Sequence, residues 1–90
     1  MSESEDLRRK RLRYRSTYRG NKELDLLLGA FARTHLDGLS GPALAAYEAL
    51  LEAGDQDLYD WIVGRRPAPA EHRNEVMTLL KGLRFTPSGS

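Results

Sequence analysis

Apolar residues recur at helical spacing along most of this 90-residue chain, and glycine or proline interrupts them at short intervals. Leu24, Leu27, Leu28 and Phe31 follow the i, i+3, i+4, i+7 pattern that marks one face of an α-helix. The same spacing recurs in three later runs, within residues 44–51, 58–62 and 76–83. No stretch shows the alternation typical of a strand. With one more helix expected near the N-terminus, the pattern predicts an all-α fold, a small five-helix bundle in a single domain.

Turn and cap signals give the expected helix boundaries. Ser40-Gly41-Pro42 is typical of an N-cap followed by a first-turn proline, and Asp55 is expected to cap a short fourth helix. Prolines at 67 and 69 place the start of the last helix at Pro69 or Ala70. The expected helices span about residues 4–17, 21–36, 41–54, 55–64 and 70–84. We expect one domain over residues 1–90, with an ordered core over about 5–84 and flexible tails at 1–4 and 85–90.

Charge is distributed unevenly along the chain. It has 14 Lys and Arg residues and 13 Asp and Glu residues, which gives a net charge of +1. Cations crowd the first quarter, whereas every charged residue between Leu36 and Val63 is acidic. The basic segment can be interpreted as a solvated helix that extends the bundle, or as an arm that steers the chain toward a charged partner. The candidate steering residues are Arg8, Arg9, Arg11 and Arg15.

The composition excludes several classes of protein. There is no Cys, so disulfides, thiolate nucleophiles and most structural zinc sites are excluded. The longest apolar run, residues 26–32, is far shorter than the ~20 residues of a membrane span. The acidic residues 1–6 lack the apolar core of a secretory signal. We therefore expect a protein of the bacterial cytoplasm with no membrane span.

Two acidic clusters have to be weighed as metal sites. Asp55-x-Asp57 with Asp60 resembles the opening of a calcium loop, but the sixth position is Asp60 instead of Gly and the twelfth is Arg66. A second cluster is expected on one helical turn, but no other predicted helix offers a matching inward set; it consists of Glu71, His72 and Glu75. We therefore expect no metal. Since no nucleophile–base set or phosphate-cradling glycine loop is visible, we also expect no catalytic residue.

Two aromatic features are each open to two interpretations. Trp61 is either part of the core or an interface hot spot, and its helical spacing with Leu58 and Ile62 favours the core. Tyr14 and Tyr18 stand among the arginines, a combination compatible with nucleic-acid binding. The near-neutral total charge disfavours that function, so we expect no nucleic-acid partner.

The charge changes sign across residues 18–25, which read Tyr-Arg-Gly-Asn-Lys-Glu-Leu-Asp. Gly20 can adopt backbone conformations that a Cβ would forbid, and it can let another backbone approach closely. Arg19 and Glu23 are four residues apart, so a helix would project them from one face as an ion pair. On spacing alone, the simplest interpretation is a helix start with a surface ion pair.

The same residues carry a family resemblance. Arg19-Gly20-x-x-Glu23, followed by Leu-Asp, resembles the signature of the SdhE family of succinate dehydrogenase assembly factors. The block from Leu50 to Trp61, LLE…D-x-DL-x-x-W, is similar to a second segment of that family. The resemblance implies a chaperone-like assembly factor that binds the flavoprotein subunit of succinate dehydrogenase and promotes covalent attachment of FAD to it. The flavoprotein subunit of the related fumarate reductase is a second candidate partner.

The resemblance also implies roles for the residues of the motif. Arg19, Gly20 and Glu23 are expected to face the partner near its FAD-accepting histidine, with Tyr18 and Asp25 beside them. In this hypothesis Gly20 permits close backbone approach and Arg19 pairs with a polar group of the partner. Glu23 then orients Arg19 or contacts the partner directly. FAD is the cofactor attached to the partner, and since the chain has no dinucleotide-binding fingerprint, we expect any flavin contact to be shared with that partner.

Two hypotheses on function follow from these observations. In the first, the chain is a monomer that promotes autocatalytic flavinylation of a partner by positioning the flavin and the histidine, and it is not an enzyme. In the second, it is a helical adaptor whose basic N-terminal arm binds nucleic acid or an acidic protein.

Overall fold

Within residues 4–84, which the computed structural model describes, the chain forms five α-helices and two short 3₁₀ helices. The α-helices are α1 (Glu5–Thr17), α2 (Lys22–His35), α3 (Gly41–Leu50), α4 (Asp55–Val63) and α5 (Glu75–Arg84). The 3₁₀ helices are Leu36–Gly38 and Ala70–His72. No strand occurs in this part of the chain, and the prediction of an all-α, five-helix fold is confirmed. None of these helices is long and apolar enough to cross a membrane.

Polar side chains fix where the first two helices, α1 and α2, begin. The Ser4 hydroxyl accepts the N–H of Leu7 at 3.2 Å at the start of α1, and the Asn21 side chain accepts the N–H of Leu24 at 3.1 Å at the start of α2. Such caps satisfy N–H groups that have no partner within the helix. Ser4, which we placed in a flexible tail, is therefore a helix cap. The rest of the predicted tails, residues 1–3 and 85–90, lies outside the described residues.

The last helix begins later than the proline signal predicts. Ala70–His72 forms a separate 3₁₀ turn, and Arg73 then leaves the helical region at φ −88° and ψ 82°. Asn74 supplies the cap of α5, because its side chain accepts the N–H groups of Val76 and Met77 at 3.1 and 3.3 Å. The prediction of a start at residue 69 or 70 is therefore wrong. The acidic cluster of residues 71–75 does not share one helical turn.

The core contains one large aromatic contact and a row of leucines. Phe31 of α2 and Tyr47 of α3 are fully buried, and their ring centroids are 4.8 Å apart. Trp61 is 8% exposed and belongs to the same core, so its assignment to the core is confirmed. Its ring lies 5.4 Å from the buried ring of His72. The helices α1 and α5 both pack against α2, and α4 packs against α5.

The helix α1 docks on the bundle through a short inward face. Leu12 and Ser16 are fully buried, and the Ser16 hydroxyl lies 2.5 Å from the hydroxyl of Tyr47. Burial raises the pKa of the Tyr47 phenol to about 12. A Cβ added to Gly29 of α2 would come within 3.2 Å of the Thr17 side chain, so the glycine lets the two helices approach closely. The interpretation of α1 as a solvated helix fits only its outer face.

Candidate partner-binding site

The side chain of Arg19 fixes the position of the non-helical segment 18–21, which carries the start of the motif and is called the motif turn below. This side chain is 13% exposed and points toward the corner between α3 and α4. The Nε atom donates to Asp55 Oδ1 at 2.7 Å, while the two Nη atoms donate to the backbone carbonyls of Leu51 at 3.0 Å and Ala53 at 2.7 Å. Carbonyl groups at a helix C-terminus have no partner within the helix, and a cation is favoured there. Arg19 therefore ties the motif turn to the end of α3 and the start of α4.

The ion pair expected between Arg19 and Glu23 does not form. Asn21 is the N-cap of α2, so Arg19 precedes the helix and the i, i+4 geometry does not apply to it. The α3–α4 corner takes the guanidinium instead. The N–H of Arg19 donates to Asp25 Oδ1 at 3.1 Å, so Asp25 closes the turn from within the chain. Contact of either residue with a partner stays a prediction.

Asp55 has a different role from the one we predicted. The N-cap of α4 is Gly54, and Asp55 is the first residue of the helix. Its carboxylate accepts the guanidinium of Arg19 across 36 residues of sequence. A carboxylate in the first turn is also favoured by the helix dipole. Sequence reasoning missed this tie because its two members belong to separate blocks, and only the shared resemblance of both blocks to one family offered a signal.

Gly20 is needed for its backbone angle and not for internal packing. Its φ is +86°, in the left-handed region, where a residue with a Cβ is strained by about 1–2 kcal/mol. A Cβ built at this position would meet no atom of the described residues within 4 Å. Gly20 is exposed, so the backbone here presents an open surface. Close approach of a partner backbone stays a prediction.

Glu23 lies in the first turn of α2 and is exposed to solvent. Among the acidic residues of the part of the chain that the structure describes, only Glu23 and Glu75 make no side-chain hydrogen bond or ion pair with another described residue. The carboxylate of Glu23 is therefore the one charged group of the motif that remains available to an outside cation.

Two exposed tyrosines, Tyr14 and Tyr18, precede Gly20 in the chain. The rings of Tyr14 and Tyr18 stack with their centroids 4.5 Å apart, although the residues are 65% and 69% exposed. Exposed, mutually packed aromatic rings are typical of protein interfaces, since they offer a large contact area with little side-chain freedom. Tyr18 thus meets the predicted requirement of a partner-facing residue, but its contact with a partner stays a prediction.

The four candidate steering residues of α1 all have partners within the chain. Arg8 and Arg11 bind the two carboxylate oxygens of Glu48 in α3 at 2.6 and 3.0 Å. Arg15 pairs with Glu52 at 2.9 Å, and Arg9 donates to the Leu39 carbonyl at 2.8 Å. The hydrogen bond from Arg8 lowers the pKa of the Glu48 carboxyl. The basic end and the acidic middle therefore neutralise one another in large part, and steering by this helix stays a prediction.

Comparison with known proteins identifies the family of this chain. The Sdh5 family, described as flavinator of succinate dehydrogenase, matches residues 10–84. This chain belongs to the Sdh5 family. The family assignment made from the two sequence blocks is confirmed, and the nucleic-acid adaptor is not supported.

Three curated relatives show the same similarity. The chain is 41% identical over 78 residues to succinate dehydrogenase assembly factor 2-B, mitochondrial, of Drosophila ananassae, covering 84% of this chain and 48% of the relative. It is 41% identical over 70 residues to the FAD assembly factor SdhE of Acetobacter pasteurianus, covering 78% and 64%. For succinate dehydrogenase assembly factor 2, mitochondrial, of Dictyostelium discoideum the identity is 41% over 81 residues, covering 90% and 57%. The chain thus spans roughly half to two thirds of the length of these relatives.

In this member of the Sdh5 family, the two sequence blocks meet in space. Arg19 of the first block contacts Leu51 and Asp55 of the second, and Trp61 of the second block is buried in the core below. The second block therefore fixes the position of the motif turn through its hydrogen bonds with Arg19. Within residues 4–84, no group of three or more His, Asp or Glu side chains is arranged to hold a metal ion.

Proposed function

We propose that this chain is an assembly factor that binds the flavoprotein subunit of succinate dehydrogenase and promotes covalent attachment of FAD to it. The family match over residues 10–84 carries the proposal, because it includes both sequence blocks. The names of the bacterial and mitochondrial relatives support the same function. The geometry of the motif supports it as well, since an open glycine and an available carboxylate lie three residues apart at the start of α2.

The proposed mechanism is positioning of the partner's own reacting groups. The covalent bond forms inside the flavoprotein, between its flavin and its histidine, and this chain holds the flavoprotein in the conformation that aligns them. Alignment of reacting groups accounts for several kcal/mol of a barrier, up to about 7–11 kcal/mol in well-oriented systems. FAD is the partner's cofactor, and we propose no separate FAD site on this chain and no catalytic residue in it.

The residues of the motif divide into two roles in this proposal. Gly20, Glu23 and Tyr18 face the partner. Gly20 lets the backbone of the partner approach closely, and Glu23 pairs with a cation on the surface of the partner. Arg19 and Asp25 are positioning residues, because their polar groups are bound within the chain. This division changes the hypothesis drawn from the family resemblance, in which Arg19 itself pairs with a polar group of the partner.

The test is in-gel flavin fluorescence of the denatured flavoprotein subunit. Cells lacking this protein are compared with cells that carry the wild-type chain, Arg19→Ala, Glu23→Ala or the control Glu75→Ala. Glu75 is a suitable control because it also lies in a first helical turn and has no partner among the described residues. We expect covalent flavin to fall without the protein and to return with the wild type and Glu75→Ala only. Equal fluorescence in every strain would refute the proposed function.

A further inference from the structure

An apolar groove lies beside the motif, between α2 and α4. It has a volume of about 340 Å³ and is lined by Glu23, Leu26, Leu27, Tyr59 and Val63. Both helices pack against α5, and the groove opens to solvent between their outer faces. Glu23 is at once a residue of the motif and part of the groove wall, so a surface that docks on the motif also covers the groove.

The apolar face of α2 is wider than the core requires. Leu24 and Leu28 are fully buried and Leu27 is half-buried, but Leu26 is 68% exposed. A single exposed leucine is ordinary in a soluble protein. Here the exposed side chain adjoins the half-buried Leu27 and faces Tyr59 and Val63 across the groove, which makes a continuous apolar surface of the kind that marks interaction sites.

The charge at the groove specifies the chemistry of what it binds. The other acidic side chains near the motif are bound within the chain, as Asp25 is by the Arg19 N–H and Asp55 by the Arg19 guanidinium. The Glu23 carboxylate has no such partner in residues 4–84. A ligand that fills the groove therefore binds most tightly if it carries a cation next to an apolar group, because its ion pair with Glu23 then forms in a partly desolvated place.

We propose that the α2–α4 groove receives an apolar side chain of the flavoprotein subunit, with a neighbouring lysine or arginine of that subunit paired to Glu23. This inference rests on the proposed function, since it names the same partner. It adds the surface on which the partner sits and the chemistry of the segment that occupies it. Leu26 is the apolar anchor of this surface, and Glu23 fixes the orientation of the segment.

A site-specific cross-link tests where the partner sits. The chain contains no cysteine, so Leu26→Cys and Leu7→Cys each introduce a single thiol for a benzophenone maleimide. Leu7 is a matched control, because it is also an exposed leucine, at 57%, and lies on α1 outside the groove. Each labelled chain is mixed with purified flavoprotein subunit and irradiated, and the products are mapped by mass spectrometry. We expect cross-links to the flavoprotein from position 26 and few from position 7.

Affinity measurements with unlabelled variants complete the experiment. We expect Leu26→Asp and Glu23→Lys to weaken binding of the flavoprotein subunit by about tenfold or more, as for anchors of an interface. The controls Leu7→Asp and Glu75→Lys are expected to stay within about twofold, as for surface positions outside it. Far-UV circular dichroism checks that each variant folds, which the exposure of all four residues favours.

The outcomes separate this inference from the proposed function. If the wild type binds the flavoprotein but Leu26→Asp binds as tightly, the groove is not the docking surface and the proposed function stands. If the wild type does not bind the flavoprotein, both proposals fail. Cross-links from position 26 to the chain's own residues 85–90, or to a second copy of the chain, would also overturn the inference, because another occupant then fills the groove.

Discussion

Two turns of this molecule place a glycine at nearly the same backbone angle. Gly20 has φ +86° and Gly64 has φ +84°, and at both positions an added Cβ would meet no described atom within 4 Å. Gly64 ends α4, where its N–H donates to carbonyls of the last turn, a common way to end a helix. Gly20 instead begins the segment that leads into α2. The same backbone conformation therefore ends α4 at Gly64, whereas at Gly20 it exposes the motif just before α2 begins.

Arg19, next to Gly20, and Arg66, two residues after Gly64, explain the difference. Arg66 folds back on the helix that has just ended and binds Asp57 and Asp60, nine and six residues away, with a side chain that is 49% exposed. Arg19 is 13% exposed and reaches Asp55, 36 residues away. The first tie is local and the second is tertiary. A turn held by a tertiary tie keeps its place relative to the whole bundle, which is what a surface that positions a partner requires.

The largest expected effect comes from removing the tertiary tie. Arg19→Ala leaves Asp55 and two backbone carbonyls without their donor, so we expect the free energy of unfolding to fall by about 2–3 kcal/mol. Arg66→Ala removes a half-exposed, local pair, and we expect a much smaller loss. Urea denaturation of both variants measures the difference. Equal losses would show that the two turns are held in the same way.

A second prediction concerns the other tie beside the motif, between α1 and α3. The folded pKa of Tyr47 is about 12 and its ordinary value is 10.0, so the neutral phenol is favoured in the folded state. The stabilisation that this raised pKa gives the folded state is fully present below pH 10. As the pH rises from about 10 to 12, the free energy of unfolding falls by about 2–3 kcal/mol. Tyr47→Phe lacks this group. Urea denaturation at several pH values should therefore show a steeper loss for the wild type than for the variant across this range.

Parallel curves for the wild type and Tyr47→Phe between pH 10 and 12 would contradict this account. A sharper form of the test follows hydrogen exchange at the two glycine turns. The turn at Gly20 lies next to the α1–α3 tie and should open first as the pH rises, while the turn at Gly64 depends on its own helix.

The third prediction separates backbone strain from partner contact. Gly20→Arg and Gly64→Arg place a side chain at nearly equal positive φ, so each should lower the free energy of unfolding by about 1–2 kcal/mol. Only Gly20→Arg should lose binding of the flavoprotein subunit and its flavinylation, because in the proposed function only that turn faces the partner. Thermal unfolding and a binding titration on both variants check this. A folded Gly20→Arg variant with full binding and flavinylation would exclude the close-approach role of Gly20.

The sequence predicts elements well where local signals agree. The helix α2 was expected over about residues 21–36 and spans Lys22–His35, because a cap residue and a regular apolar face indicate the same element. The start of α5 was misplaced because two prolines offered a strong signal near residue 69. The weaker signal, Asn74, is the cap that forms.

The site was less predictable than the fold, for a physical reason. Local spacing favoured an ion pair between Arg19 and Glu23, but a guanidinium has several donors and binds where several acceptors converge. These acceptors lie at Leu51, Ala53 and Asp55, and no spacing rule connects them to residue 19. The family resemblance predicts that the motif is the partner-binding site, and this stays a prediction. It did not reveal which of its two charged residues faces inward.

The smallest expected effect on stability belongs to the other charged residue of the motif. Glu23→Gln removes a charge that has no partner in the described part of the chain, so only the helix-dipole contribution is lost, about 0.3–1 kcal/mol. Glu75→Gln should lose a similar amount, since Glu75 also lies in a first turn without a partner. Thermal unfolding compares the two variants with Arg19→Ala. If Glu23→Gln were as unstable as Arg19→Ala, Glu23 would also hold the turn together, and its assignment to the partner would be wrong. A stable Glu23→Gln variant that fails in flavinylation would assign the fold of the motif to Arg19 and its contact with the partner to Glu23.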